Sequence, residues 1–439
     1  MQQPLHALTW RTTLIDTQRP LTMQCYDVAI IGAGPAGLAA AQRLSYQGRR
    51  VILIDQGNEI AERIRAVEAE LTQGHGGAGL YSDGKFSFFP SASHLWRLPK
   101  REALHNAYTW TCKLLNNHGL DTPSFPAVAN THSPDVGDWV LKSYPSDYLS
   151  LQARVELVVG LVNSLDTDIA SQTRMTICRY DESTKRHHLE LKNTQRCYEI
   201  TAKTLIWATG RFGALDIKED IKKTFRRLEV GFRIEQPSEL AFFQTLSNLD
   251  PKLTLRAASA TTEWRTFCAC RNGRTVLTQT QGLWTVSGHS DGPPTQRSNV
   301  GFNTRIFDET LAKRTIDTIR AALREQGTYF EIPLMAWLER EQATTSRMNA
   351  IYGKEVANAM MLGLRKLINR FPSIEHSETR LIGPTLEGIG WYPEVDGTLR
   401  LPNRPTWVVG DACGLFRGIV AAFISGHYAA SAVLETLEE

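Results

Sequence analysis

Neither sign of charge dominates this 439-residue chain. Its 49 basic residues stand against 46 acidic ones, a formal net charge of +3, too small a surplus to draw a polyanionic partner by itself. Nucleic acid is therefore not indicated as a partner, and not excluded either. Cysteines are few, seven in all, and they are scattered without the spacing of a disulfide framework or a C-x-x-C zinc site. The expectation is a cytoplasmic protein with no bound metal. Long apolar runs are also missing. The most apolar stretch, Trp407 to Leu434, is broken by Asp411, Arg417 and His427, which a lipid-spanning helix tolerates poorly, so no membrane span is expected. The first 22 residues carry Arg11, Asp16 and Arg19 and no apolar core of signal-peptide length; residues 1–22 are read as a peripheral extension.

What remains is ordinary globular composition, 42% hydrophobic and 22% charged, at a length that suggests two or three structural units or one large domain with an insertion. Tyr26 to Ile31 predicts a buried strand, followed by Gly32-Ala-Gly34-Pro-Ala-Gly37 and an alanine-rich helix to about Tyr46; Val51 to Ile54 predicts a second strand ending at Asp55. An amphipathic helix is expected over Glu59 to Leu71, then a glycine-rich loop, Gly74 to Lys85. Further helices are expected near Arg101 to Asn116 and Leu151 to Leu165. A small meander is expected at Met175–Tyr180, His188–Lys192 and Tyr198–Ala202, with a separate strand at Thr204–Trp207. From Leu215 to Phe371 the pattern changes to alternating strands and then helices, and an α/β signature returns at Thr406 to Val409 with a helix from Gly418. The fold class is thus α/β: a Rossmann-like domain with a β-meander (23–214 and 372–439), interrupted by a mixed, β-rich α+β domain (215–371) that would carry the substrate.

The G-x-G-x-x-G at Gly32, Gly34 and Gly37 lies between strand and helix, with an acidic residue 23 positions after its first glycine, which is the context of a dinucleotide site. Gly32 permits the tight turn, Gly34 lets a pyrophosphate approach the backbone, Gly37 lets helix pack on sheet, and Asp55 accepts from ribose hydroxyls. Gly74, Gly76 and Gly79 match the same expression but lack a preceding strand, so this segment is read as backbone lining a cofactor. Gly410-Asp411, after a strand and before a helix, offers a carboxylate to a polyhydroxyl chain and a positive helix end to whatever negative charge lies beyond. Together the two motifs favour FAD over NAD. Cys268 and Cys270, two apart on a predicted strand, are expected to share one face and pack. His187 and His188 are expected on a solvated strand face.

These segments resemble the two-domain FAD-dependent oxidoreductases of the glutathione-reductase type, through I-I-G-A-G-P-A-G-L with Asp55, A-T-G at Ala208, Thr209 and Gly210, and V-V-G-D-A-C-G at Val408 to Gly414. More narrowly, G-H-G-G-A-G-L-Y-S-D-G-K-F, V-G-F-R-I-E, R-T-F-C-A-C-R-N-G and G-D-A-C-G-L-F-R-G-I-V-A-A are similar to a poorly characterised group of bacterial FAD-dependent dehydrogenases. The chain departs from that group at Cys268-Ala-Cys270-Arg271, where proline and a second glycine are usual. The resemblance implies FAD held by Gly32, Gly34, Gly37, Asp55 and Asp411, with the Gly76–Gly79 loop near the flavin. The full set of expected cofactor contacts adds Pro35, Ala36, Gln56, Gly76, Gly77, Ala78, Gly79, Ala208, Thr209, Gly210, Gly410, Gly418 and Ile419. Candidate catalytic side chains are His75, Lys85, Arg265, His289 and Arg417, because each lies in a family-like motif or a glycine-rich turn.

The expected activity is hydride transfer between a small-molecule substrate and flavin, with an electron donor or acceptor that the sequence does not name. Other chemistries stay open: modification of a nucleic-acid base, non-redox lyase chemistry, or saturation of the geranylgeranyl-reductase kind. A flavin hydroxylase is less favoured, because Trp207–Arg211 lacks the further Asp-Gly motif.

Overall fold

The computed structural model describes residues 24–127, 135–136, 138–215, 217, 221–291 and 293–438; the expected extension, 1–22, lies outside them. The strand Gln24–Ile31 runs parallel to Val51–Ile54 on one side and to Cys197–Trp207 on the other. Being central, it is covered on both faces, which is why Val28 to Ile31 form an unbroken apolar run rather than an alternating one. Asp168–Ala170 extends the sheet at one edge. At the other, the meander Arg174–Asp181 and Arg186–Lys192 adds antiparallel strands. Two expected strands are one here: Cys197–Trp207 is continuous over eleven residues. It pairs with Arg186–Lys192 through Ala202, and from Leu205 with the late strand Thr406–Val408. That late pairing brings the two ends of the chain's dinucleotide signature into one sheet.

A second, eight-stranded sheet is built around the long strands Lys223–Pro237, Arg297–Ile306 and Arg380–Pro393. Helices Gln342–Tyr352 and Lys354–Arg370 are tied to it where Tyr352 OH donates to Gly231 O at 2.6 Å and Trp264 Nε1 to Ala359 O at 2.9 Å. Its membership departs from the expected division of the chain, because Trp139–Lys142 and Arg380–Pro393 pair into this sheet from outside 215–371. Arg380–Pro393 escapes a pattern search because nearly all of it is buried and it is interrupted by Gly383, Pro384, Gly388 and Gly390, residues that ordinarily argue against a strand interior.

The helix Pro35–Leu44 has proline in its first turn, where a missing N–H costs nothing. It packs against the C-terminal helix Ile419–Glu438, and a Cβ on Gly426 would fall well inside 3 Å of the Ala36 carbonyl oxygen, so only glycine allows this closeness. The C-terminal helix is long and apolar enough to cross a membrane, yet 78% of its apolar window is buried within the protein. It is a core helix.

The expected helix over Glu59 to Leu71 does not form; the segment is a run of turns. Its ends are pinned together, since Asp55 Oδ1 accepts from both Gly57 N and Gly74 N at 2.8 Å. Inside the loop the buried Arg63 donates to the carbonyls of Glu70, His75 and Gly77. Carbonyls spent on a guanidinium and a chain closed on itself leave no helix for the amphipathic pattern to stabilise.

Candidate functional site

A cavity of about 970 Å³ lies between the two sheets, at the upper end of the range for ligand pockets. Three segments far apart in sequence converge on it. The first is the turn Gly32–Ala36: Gly32 has φ +106° and its missing Cβ makes room for the Ala208 carbonyl, while Gly34 opens towards Gly77. The second is Gly77–Gly79, whose approach is fixed by Gly76 N donating to Ala33 O at 2.8 Å. The third is Gly410–Asp411 with Gly418–Ile419. Helices Pro35–Leu44 and Ile419–Glu438 both begin at this wall; their first internal bonds are Leu38 N to Gly34 O and Ala422 N to Gly418 O at 2.9 Å. The amides before those bonds are the free, positively polarised donors that suit an anion.

Of the expected cofactor contacts, sixteen line the cavity: Gly32, Gly34, Pro35, Ala36, Asp55, Gln56, Gly77, Ala78, Gly79, Ala208, Thr209, Gly210, Gly410, Asp411, Gly418 and Ile419. Gly37 and Gly76 do not. Gly37 sits against the Gly32 carbonyl and Gly76 against Val158, so both act by letting backbone pack closely behind the wall. Asp55 lines the cavity with its carboxylate largely engaged, since Ala33 N donates to Oδ2 at 2.7 Å in addition to the two bonds on Oδ1. It therefore fixes both glycine loops, and the exposed neighbour Gln56 is the freer group for a ribose. Thr209 Oγ1 is buried without a partner at the cavity wall. Burial raises the pKa of Asp411, against the pull of Arg417, Arg211 and the Gly418 amide. Open glycine backbone, two helix starts, an unpartnered hydroxyl and a carboxylate suit a dinucleotide carrying both phosphates and hydroxyls.

The expected catalytic side chains divide. His75 is a correction: it is buried away from the cavity, with Nε2 3.0 Å from Ser171 Oγ, and burial lowers its pKa. Lys85, Arg265, His289 and Arg417 do line the cavity. Lys85 pairs with Asp83 at 3.3 Å and donates to Ala269 O. Burial alone would lower its pKa, but Asp83 and Asp250 overturn that and hold it charged. His289 is pushed down to about 3 by burial and by Arg65, Arg233, Arg274 and Arg154; it is a neutral imidazole at neutral pH, not a base poised near 7. Arg417 lies 3.4 Å from Glu387 and 3.7 Å from Glu229, so much of its charge is shared with one carboxylate on the wall and one behind it. Arg265 is pushed down to about 10 by burial and by Arg305, with Glu229 opposing.

Two further expectations change. Cys268 and Cys270 do not share a simple strand face: the ladder slips between Phe267 and Cys270, Cys268 has φ +48°, and the Cys268 carbonyl accepts from Arg233 Nη2 at 2.6 Å. Cys268 lines the cavity, and burial raises both thiols, making them poor nucleophiles. His187 is buried, not solvated, with Nε2 3.3 Å from both Pro405 O and Thr406 Oγ1; His188 stays at the surface. Sequence reasoning missed Asp83, Asp250, Lys252 and Glu387 on the cavity wall and Glu229 behind it. Asp83 with Lys85, Asp250 with Lys252 and Glu229 with Arg227 are pairs two residues apart on strands or turns, an alternation any solvated face also shows, while Glu387 meets Arg211 and Arg417 only through the fold.

Residues 26–236 match the family described as pyridine nucleotide-disulphide oxidoreductase. The matched segment, just under half of the chain, holds the Gly32–Gly37 turn and most of the Rossmann-like sheet. Sarcosine oxidase subunit alpha from Corynebacterium sp. (strain U-96) is 46% identical over 48 residues, 11% of this chain and 5% of that one, so the chain spans only a small part of this curated relative. Among solved structures, a geranylgeranyl bacteriochlorophyll reductase-like protein from Thermoplasma acidophilum is similar over 95% of this chain and 80% of its own, at 13% identity and a TM-score of 0.44. Aklavinone-11 hydroxylase, solved with FAD and aklavinone, is similar over 95% and 64%, at 11% identity and a TM-score of 0.44.

Proposed function

We propose that the protein transfers a hydride between a small-molecule substrate and FAD held in the cavity between its two sheets, with an external electron donor or acceptor completing the cycle. The observation that carries this reading is the meeting of Gly32–Ala36, Gly77–Gly79 and Gly410–Ile419 on one wall. When bound, the flavin supplies the hydride chemistry, and the protein supplies position and electrostatics. The start of Pro35–Leu44 would receive the phosphates, Asp411 a hydroxyl of the linking chain, and Gln56 the ribose. The start of Ile419–Glu438, with the adjacent Arg417, would face negative charge on the flavin ring. Lys85, Arg265 and His289, on the opposite sheet or facing it, are left for the substrate.

The test is direct. Purified protein should be yellow, and acid precipitation should release FAD. Recovery of FMN or NAD, or failure to take up FAD on reconstitution, would overturn the reading.

A further inference from the structure

We propose that Arg265 is the anchor for a carboxylate, so that the substrate of this cavity is a carboxylic acid, ionised at neutral pH. The proposal rests on the reading of the cavity as a flavin site. Arg265 lies on the strand Thr262–Cys270, opposite Thr254 and Asn303 on its neighbours, and contributes to the cavity wall with Phe267 and Cys268.

The other cations on this part of the wall are neutralised. Lys85 pairs with Asp83 at 3.3 Å, Lys252 with Asp250 at 3.1 Å, Arg211 with Glu387 at 2.6 Å, and Arg417 with Glu387 and Glu229. Arg265 has no carboxylate within ion-pair distance among the described residues, and its Nε is buried without a hydrogen-bond partner. Its guanidinium lies over the Phe267 ring, with the centroid 5.5 Å away. Glu229 offers it little, because that carboxylate already serves Arg227, Arg305 at 3.4 Å, Arg417 at 3.7 Å and the Asn303 amide at 3.2 Å.

A half-buried guanidinium whose Nε is buried without a partner is costly to keep. Its planar fork matches a carboxylate with two parallel bonds, and an anion entering the cavity would meet a charge not already spent. Lys142 carries a related sign of the local excess: burial, with Lys252, Arg265 and Arg305, pushes it down to about 8. The phosphates of the dinucleotide have their own donors at the start of Pro35–Leu44, so Arg265 is not needed for them.

The experiment titrates FAD-loaded wild type, Arg265→Gln and Arg265→Lys with benzoate, with its neutral isostere benzamide and with phenyl phosphate, following the flavin absorption band. Benzoate should perturb the band saturably and bind at least tenfold tighter than benzamide and tighter than phenyl phosphate. Arg265→Gln should weaken benzoate at least tenfold with FAD content unchanged, and Arg265→Lys should fall between. A melting temperature of Arg265→Gln no lower than wild type is expected, because the change removes an unpaired cation; a purely structural arginine would show a drop. Equal binding of benzoate and benzamide to wild type overturns the proposal whether or not the variants fold. Tighter phenyl phosphate binding, or loss of FAD from Arg265→Gln, overturns it by moving Arg265 to phosphate or cofactor recognition. Wild-type protein that takes up no FAD overturns the flavin reading and this inference with it, whereas an FAD-loaded wild type indifferent to benzoate overturns the inference alone.

Discussion

Replacing Gly426 by alanine tests the packing that sets the cavity wall. In an exposed helix interior this change gains about 1 kcal/mol, because alanine is the better helix former. Here the added methyl would meet the Ala36 carbonyl oxygen inside 3 Å and its carbonyl carbon as well, against an ordinary contact limit of about 3.4 Å. Both partners are backbone, so no side chain can rotate away and the helices Pro35–Leu44 and Ile419–Glu438 must separate. Overpacking of this kind costs about 1–3 kcal/mol, and a backbone clash belongs at the upper end, leaving a net loss of about 2 kcal/mol after the propensity gain. The separation also acts at the cavity, because Ala36, Ile419 and Ala422 line it, and Gly410 N donates to Ser425 Oγ at 3.0 Å next to the contact. Urea denaturation should show a lower midpoint at unchanged slope, and fluorescence titration should show weaker FAD binding. A variant of equal or greater stability would refute the reasoning, since the sign itself separates propensity from packing.

Asp411→Ala should weaken FAD retention by about 1.5–3 kcal/mol, the range for hydrogen bonds to a charged group, so roughly a ten- to hundredfold rise in Kd; unchanged affinity by equilibrium dialysis would remove Asp411 from the cofactor site. Glu229→Gln should destabilise the fold by about 3–5 kcal/mol, because it leaves Arg227, Arg305 and Arg417 around a neutral buried amide; denaturation within error of wild type would contradict this. Acid should destabilise through three histidines, since burial pushes His187 and His427 down to about 4 and burial with nearby arginines pushes His289 down to about 3. Unfolded, these rings protonate below about 6.5 while folded they stay neutral, so each removes about 1.4 kcal/mol per pH unit as pH falls from 6.5 towards 4. His187→Gln should flatten that slope by about one proton, measured as melting temperature against pH; an unchanged slope would place the titration elsewhere.

The dinucleotide half was legible because its chemistry is local. Val28 to Ile31, Gly32 to Gly37 and Asp55 lie within one short stretch whose order alone forces strand, turn and helix, and Gly410-Asp411 sits at an equally short strand-to-helix step. Asp55 shows the limit of that reading: it lines the cavity, but its bonds to Ala33, Gly57 and Gly74 depend on a loop that its own pattern of apolar residues disguised as a helix. His187 misled for a similar reason. Its flanking charges suggest a solvated strand, and what buries it is Pro405 and Thr406, more than two hundred residues later.

The opposite side of the cavity was hidden because its meaning lies in pairs. Arg265, Arg211 and Arg417 are alike in sequence, three cations among many, and nothing near any of them says which is neutralised. Asp250 neutralises Lys252 from two residues away, but only the arrangement of strands brings Glu387 to Arg211 and Arg417 while leaving Arg265 with no carboxylate in ion-pair distance among the described residues. The same logic governs Glu229, which lies directly opposite Arg305 in the ladder and is the shared counter-ion of three arginines. A charge left over after such pairing carries more information about a ligand than any charge counted from composition, because the net +3 of the whole chain contains no trace of where the surplus sits. In this protein one such leftover charge, Arg265, sits on the wall of the cavity that also carries the dinucleotide fingerprint, and that coincidence is what ties the proposed carboxylate to the cofactor's position.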